Sequence, residues 1–197
     1  MNWIEPKRLA PGMTIGIMAP ASASDEDLHR IEEICKAKGY KVLVGESASR
    51  KGLYGGTPEE QAAEFQYMMT TAPCDAVLAL RGGYGTMRYL ERLDYKAIRK
   101  YRKAFIGYSD CTALHMAINR YSRLITYHGP MGVDFKAERK ADIDALFNVL
   151  EGKLKVIEPL PEPPRGAIGT ELGEGIFRGG NMTILSVLSG TPYFLED

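Results

Sequence analysis

Short, continuous apolar runs alternate along this chain with longer stretches in which hydrophobic residues recur every three or four positions. The runs at 14–20 (TIGIMAP), 40–45 (YKVLVG), 75–80 (DAVLAL), 103–108 (KAFIGY) and 123–129 (RLITYHG) have no polar face, the pattern of strands covered on both sides. Helices lie between them. Ser24 with Asp27 makes a capping-box start, Leu28, Ile31 and Ile34 mark one face, and Gly39 stands where that helix ends. Thr57, Pro58 and Glu60 supply cap, first-turn proline and box for a second helix running to about Thr71. Residues 49–56 (SRKGLYGG) have no period and read as a loop. A short helix carries Met87, Tyr89 and Leu90, and another spans 111–121.

Strands alternating with helices imply an α/β fold, a mostly parallel sheet with helices on both faces. The segment PLPEPPRG (159–166) holds four prolines in eight residues and reads as a linker. Beyond it Asn181 is placed to cap a helix whose apolar face is Ile184, Leu185 and Leu188, and YFLED reads as a strand. The organisation predicted is a domain at 1–158, a linker at 159–173 and the start of a second domain at 174–197, the whole being the front portion of a longer protein.

Charge then removes some functions. Lys plus Arg and Asp plus Glu are 25 each, so no long-range field gathers nucleic acid or anionic lipid. No apolar run approaches the roughly 18 residues of a membrane span, and the amino terminus has no secretory pattern. Cys35, Cys74 and Cys111, odd in number and set in apolar stretches, read as buried free thiols of a reducing, cytoplasmic compartment.

The candidate chemistry gathers at FIGYSDCTALH (105–115), where a buried strand stops at Ser109 and turns directly into a helix. In an open parallel sheet the crevice at the carboxyl ends of the strands is the reactive place. A sharp corner there holds a serine hydroxyl clear of its own backbone and leaves the next amide, that of Asp110, free to receive negative charge. The competing reading is that Ser109 or Asp110 merely caps the helix. RGGYG (81–85) supplies paired glycines whose exposed amides can hold an oxyanion. It lacks the spacing of a dinucleotide or P-loop phosphate cradle, and a plain turn is the bland alternative.

RGGYGTMRYLERLDY, KAFIGYSDCTALH and ITYHGPM, in that order, resemble the LD-carboxypeptidases (muramoyltetrapeptide carboxypeptidases), a serine peptidase family that includes microcin C self-immunity proteins. GMTIGIMAPAS resembles the family's first strand and FRGGNMTILSVLSGTPYFLED its entry into a second domain. The resemblance implies a flavodoxin-like or Rossmann-like amino-terminal domain, a β-rich carboxy-terminal domain and a Ser-Glu-His triad. It maps the nucleophile to Ser109, the oxyanion amides to Gly83 and Asp110, and the acid to Glu196, with Glu174 as second choice. The family histidine lies beyond these residues. Of the three present, His29 reads as surface, His115 as pointing away from Ser109, and His128 as a structural histidine at a strand end near the site, with a base role as its lesser alternative.

The function implied is release of a terminal D-alanine from murein tetrapeptide by cleavage of an L,D amide in cell-wall recycling. Arg81, beside the glycine pair, is a candidate for the substrate carboxylate, with a structural ion pair as its equal alternative, and Gly82 and Asn181 are further candidate contacts. No metal or cofactor is called for, the complete protein is expected to be a homodimer, and this chain, without the histidine, is expected to be inactive alone. The alternatives are a microcin-type peptide-nucleotide hydrolase, a non-catalytic α/β binding module and a nucleotide-binding protein.

Overall fold

The structure, a computed structural model, describes residues 2–154 and 177–194. Five parallel strands form one sheet in the order β2-β1-β3-β4-β5, the flavodoxin-like order. They are β1 (Thr14–Met18), β2 (Lys41–Val44), β3 (Ala76–Ala79), β4 (Ala104–Gly107) and β5 (Tyr127–His128). The helices are α1 (Leu28–Ala37), α2 (Pro58–Met69), α3 (Tyr95–Tyr101), α4 (Thr112–Ser122), α5 (Lys140–Leu150) and α6 (Met182–Leu188).

Side chains alternate across the strands and build a core on each face. Val77, Ala79 and Phe105 point to one face and meet Phe65 and Met69 of α2, Ile98 of α3 and Leu114 and Ile118 of α4. Ile15, Ile17, Leu78 and Ile106 point to the other and meet Ile31 and Cys35 of α1 and Ile143 and Phe147 of α5. The central strands are buried on both sides because each face is apolar, which is why the runs read as continuous in the sequence. All three cysteines are buried and unbridged; burial holds the Cys35 thiol up at about 12 and raises those of Cys74 and Cys111.

Helix α2 starts as its sequence predicts, with the reciprocal box between Thr57 and Glu60 and Pro58 in the first turn. It ends at Met69, where buried Lys103 donates to the Met68 and Ala72 carbonyls at 2.8 and 2.7 Å. Helix α1 begins later than predicted. Ser24 Oγ accepts from the Glu26 amide, only two residues on, and Asp27 is the cap, accepting from Arg30. The short helix at 86–92 is instead a pair of 3₁₀ turns, Thr86–Arg88 and Leu90–Arg92, broken at Tyr89 (φ −136°). Tyr89 is buried and its hydroxyl donates to the Pro20 carbonyl at 2.8 Å, so tertiary contact overrides the local preference.

The last strand is much shorter than the 123–129 run. Arg123 is the left-handed cap of α4 (φ 49°) and Asn119 Nδ2 donates to the Leu124 carbonyl, leaving only Tyr127 and His128 to pair with β4. Helices α3 and α5 are unpredicted: α3 buries only Ile98, whereas α5 carries Ile143, Leu146, Phe147 and Leu150 at helical spacing. Asn181 caps α6, and Leu188 packs in the core shared with α4. Tyr193 and Phe194 of the expected YFLED strand lie in a turn. The proline-rich segment, Glu174 and Glu196 lie outside the described residues. Among the described residues no helix is long and apolar enough to cross a membrane.

Candidate active site

Three strand ends meet where the order of the sheet reverses between β1 and β3, the place where open α/β sheets form a crevice. β1 delivers Pro20–Ser22, β3 delivers Arg81–Gly85, and β4 delivers Ser109. Ser109 has φ +59°, left-handed backbone that L-residues other than Asn and Asp seldom adopt. It opens a 3₁₀ turn, Ser109–Cys111, that runs straight into α4. The strain is held by the surroundings and sets the serine on the corner expected of a nucleophile elbow.

The glycine turn lies directly against it. A Cβ built on Gly82 would stand 2.9 Å from Ser109 Cβ, 3.2 Å from Oγ and 3.5 Å from the Asp110 nitrogen, so only glycine admits this approach. Gly83 has φ +110°. The serine, the Asp110 amide and the glycine turn, separate in sequence, are thus brought together.

Asp110 joins the two loops by its side chain. Thr86 N–H donates to Asp110 Oδ2 at 3.0 Å, and Thr86 Oγ1 lies 2.8 Å from the Asp110 carbonyl and 2.9 Å from Oδ2, its one hydrogen shared between them. Both residues are buried. Burial raises the Asp110 carboxyl pKa, and the Thr86 bonds oppose that rise. Sequence reasoning missed Thr86 and Ser22; a polar residue directly following a glycine turn or a buried strand is the available signal.

The remaining candidates take different places. Arg81 is exposed, its Nη1 reaching the Ala23 carbonyl at 3.5 Å. Asn181 is brought to α4 by a bond from its N–H to Thr112 Oγ1 at 2.9 Å, but its side chain is spent capping α6 through the Ile184 amide. His29 is exposed on α1. His128 is exposed, its ring 6.2 Å from that of Tyr108, and among the described residues no imidazole or carboxylate is hydrogen-bonded to Ser109.

His115 is buried on α4, its ring 5.0 Å from that of Phe105 of β4. Its Nε2 lies 2.8 Å from the Gly107 carbonyl, so that nitrogen carries the hydrogen, and Nδ1 accepts from Thr126 Oγ1 at 2.8 Å. Burial pulls its pKa from 6.5 to about 4. The unfolded imidazole therefore takes a proton at a pH where the folded one does not. Its contribution is complete above pH 6.5 and is lost as the pH falls towards 4, on the order of 3 kcal/mol in all. Chemical denaturation between pH 7 and 4 is expected to show that slope, and His115→Gln to flatten it; an unchanged slope would mean another group titrates.

A serine at positive φ on a strand end, with a glycine turn pressed against it, defines an α/β protein with a serine corner in the crevice of its parallel sheet. Residues 15–129 match the family described as LD-carboxypeptidase N-terminal domain, and the chain belongs to the LD-carboxypeptidase family. It is 34% identical over 201 residues to a probable murein peptide carboxypeptidase of Bacillus subtilis, covering 98% of this chain and 61% of that protein. It is 33% identical over 144 residues to the microcin C7 self-immunity protein of Escherichia coli, covering 71% of this chain and 42% of that protein. The crystal structure of a muramoyltetrapeptide carboxypeptidase from Oxalobacter formigenes matches with a TM-score of 0.77 at 28% identity, covering 93% of this chain and 62% of that one. The chain spans 61% to 63% of the length of the first three curated relatives.

Proposed function

We propose that the protein carrying this chain is a serine carboxypeptidase that cleaves an L,D amide and releases D-alanine from murein tetrapeptide during cell-wall recycling. The observation that carries the reading is Ser109, held at φ +59° against Gly82 in a chain of the LD-carboxypeptidase family. In this mechanism Ser109 Oγ attacks the carbonyl carbon, and the amides of Gly83 and Asp110 hold the oxyanion. Collapse of that intermediate breaks the C–N bond and expels D-alanine, its amine taking the proton lost by Ser109, and water then hydrolyses the acyl-serine to free the shortened peptide. Arg81, exposed beside the turn, offers a guanidinium to the free carboxylate of the substrate.

The mechanism needs a general base, and none of the three histidines is bonded to Ser109. That role is assigned to a histidine in the part of the relatives' length that this chain does not span, oriented by Glu196, with Glu174 as the alternative. The same reading takes 1–158 as the nucleophile domain, 159–173 as a connector and 174–197 as the opening of a β-rich domain, and the complete protein as a cytoplasmic homodimer. These 197 residues alone are accordingly expected to be inactive.

Identity to the microcin C7 self-immunity protein favours a second reading, hydrolysis of a peptide-nucleotide. The test offers L-Ala-γ-D-Glu-meso-diaminopimelate-D-Ala and an aminoacyl sulfamoyl adenosine separately to the full-length gene product and to these 197 residues. D-alanine release by the full-length protein alone is expected. Cleavage of the nucleotide only would transfer the protein to the second reading, and cleavage of neither would leave a binding module.

A further inference from the structure

Segment 19–22, after β1, is held more firmly than its position on a loop requires. The Ala19 amide donates to Ser47 Oγ at 2.9 Å. The Pro20 carbonyl accepts from Tyr89 Oη at 2.8 Å and from Gln61 Nε2 at 3.0 Å. The Ala21 carbonyl accepts from Gln61 Nε2 at 2.8 Å and from the Gly55 amide at 2.9 Å. Gln61 and Tyr89 are fully buried, so the clamp works out of reach of water, where such bonds are strongest.

At the end of this segment, buried Ser22 meets the glycine turn three times. Its N–H donates to the Gly82 carbonyl at 3.3 Å, and its Oγ accepts from the Tyr84 amide at 3.1 Å. A Cβ built on Gly83 would fall 2.3 Å from that Oγ. The peptide carrying the Gly83 amide is therefore gripped on both sides, by its Gly82 carbonyl and by the neighbouring Tyr84 N–H.

We propose that Ser22 is a positioning residue for the reaction: its hydrogen bonds to Gly82 and Tyr84 aim the Gly83 amide at the oxyanion. The inference rests on the reading of Gly83 as an oxyanion donor. Tyr84 stands between Gly83 and Gly85, both at positive φ and both free of a Cβ, so the turn has little stiffness of its own. Its shape is imposed from β1. An oxyanion donor displaced by a fraction of an ångström loses most of its effect on the transition state while ground-state binding is little changed.

The test uses the full-length protein and a fluorophosphonate, whose phosphorus is attacked by Ser109 Oγ with loss of fluoride and the serine proton and whose P=O oxygen occupies the oxyanion position. In Ser22→Ala the maximal labelling rate is expected to fall about 10- to 100-fold, with half-saturation within about 2-fold and the melting temperature lower by only a few degrees, for the one hydrogen bond lost. An undiminished maximal rate overturns the proposal. If Ser22→Ala does not fold, hydrogen exchange of the Tyr84 amide in the wild type decides: slow exchange supports the bond to Ser22 and fast exchange overturns it. A wild type that is not labelled at Ser109 overturns both this inference and the serine mechanism. Labelling without cleavage of the tetrapeptide overturns the substrate reading alone.

Discussion

Ser109→Ala in the full-length protein is expected to lower D-alanine release from the tetrapeptide by about 10⁴-fold or more without lowering the melting temperature. The large factor follows from the mechanism, since removing the hydroxyl removes the atom that forms the covalent intermediate. The unchanged stability follows from the structure. Ser109 Oγ makes no hydrogen bond to the protein among the described residues, so its loss leaves no buried partner unsatisfied. Ser109→Gly sharpens the test. Glycine accepts φ +59° freely, relieving strain of about 1 kcal/mol, partly offset by the greater freedom of the unfolded chain. This variant should therefore melt no lower than the wild type while remaining inactive. A variant that is less active but more stable marks a residue kept in a costly conformation for its chemistry. Retention of substantial release by Ser109→Ala would remove Ser109 from the mechanism, whatever its backbone angle.

Gly83→Ala is expected to cost both stability and turnover. At φ +110° an alanine is strained by about 1–3 kcal/mol, and its Cβ would fall 2.3 Å from Ser22 Oγ and 2.6 Å from Ser22 Cβ. Ser22 cannot yield easily, because the segment before it is clamped by Gln61, Tyr89 and the Gly55 amide. The turn must move instead, carrying its amide with it. Turnover is expected to fall by about 100-fold or more, and urea unfolding to show a loss of about 2–4 kcal/mol. A fully active, fully stable Gly83→Ala protein would show that neither the positive φ nor the close approach exists in solution.

The legible part of this protein was the part governed by local physics. Continuous apolar runs announced strands because both faces of the sheet are covered, and Thr57-Pro58-Glu60 announced α2 because its capping groups are only three residues apart. Ser109 was visible as a polar residue at the end of such a run, and the paired glycines at 82–83 as the end of another. Helix α3 was hidden because a seven-residue helix burying only Ile98 has no period to read. The overlong last strand had a different cause: α4 takes Arg123 and the Leu124 carbonyl for its own termination.

The sequence alone therefore determined the α/β class, the elbow and the glycine turn, since each is written within a few neighbouring residues. Only the tertiary structure decided that the two loops touch at Gly82 and that Thr86 binds the Asp110 carboxylate. It alone made Ser22, from the loop after β1 some sixty residues earlier than the turn, the group that grips it. Strand order decides which loop ends become neighbours. That order is set by how whole faces pack, which no short stretch of sequence encodes.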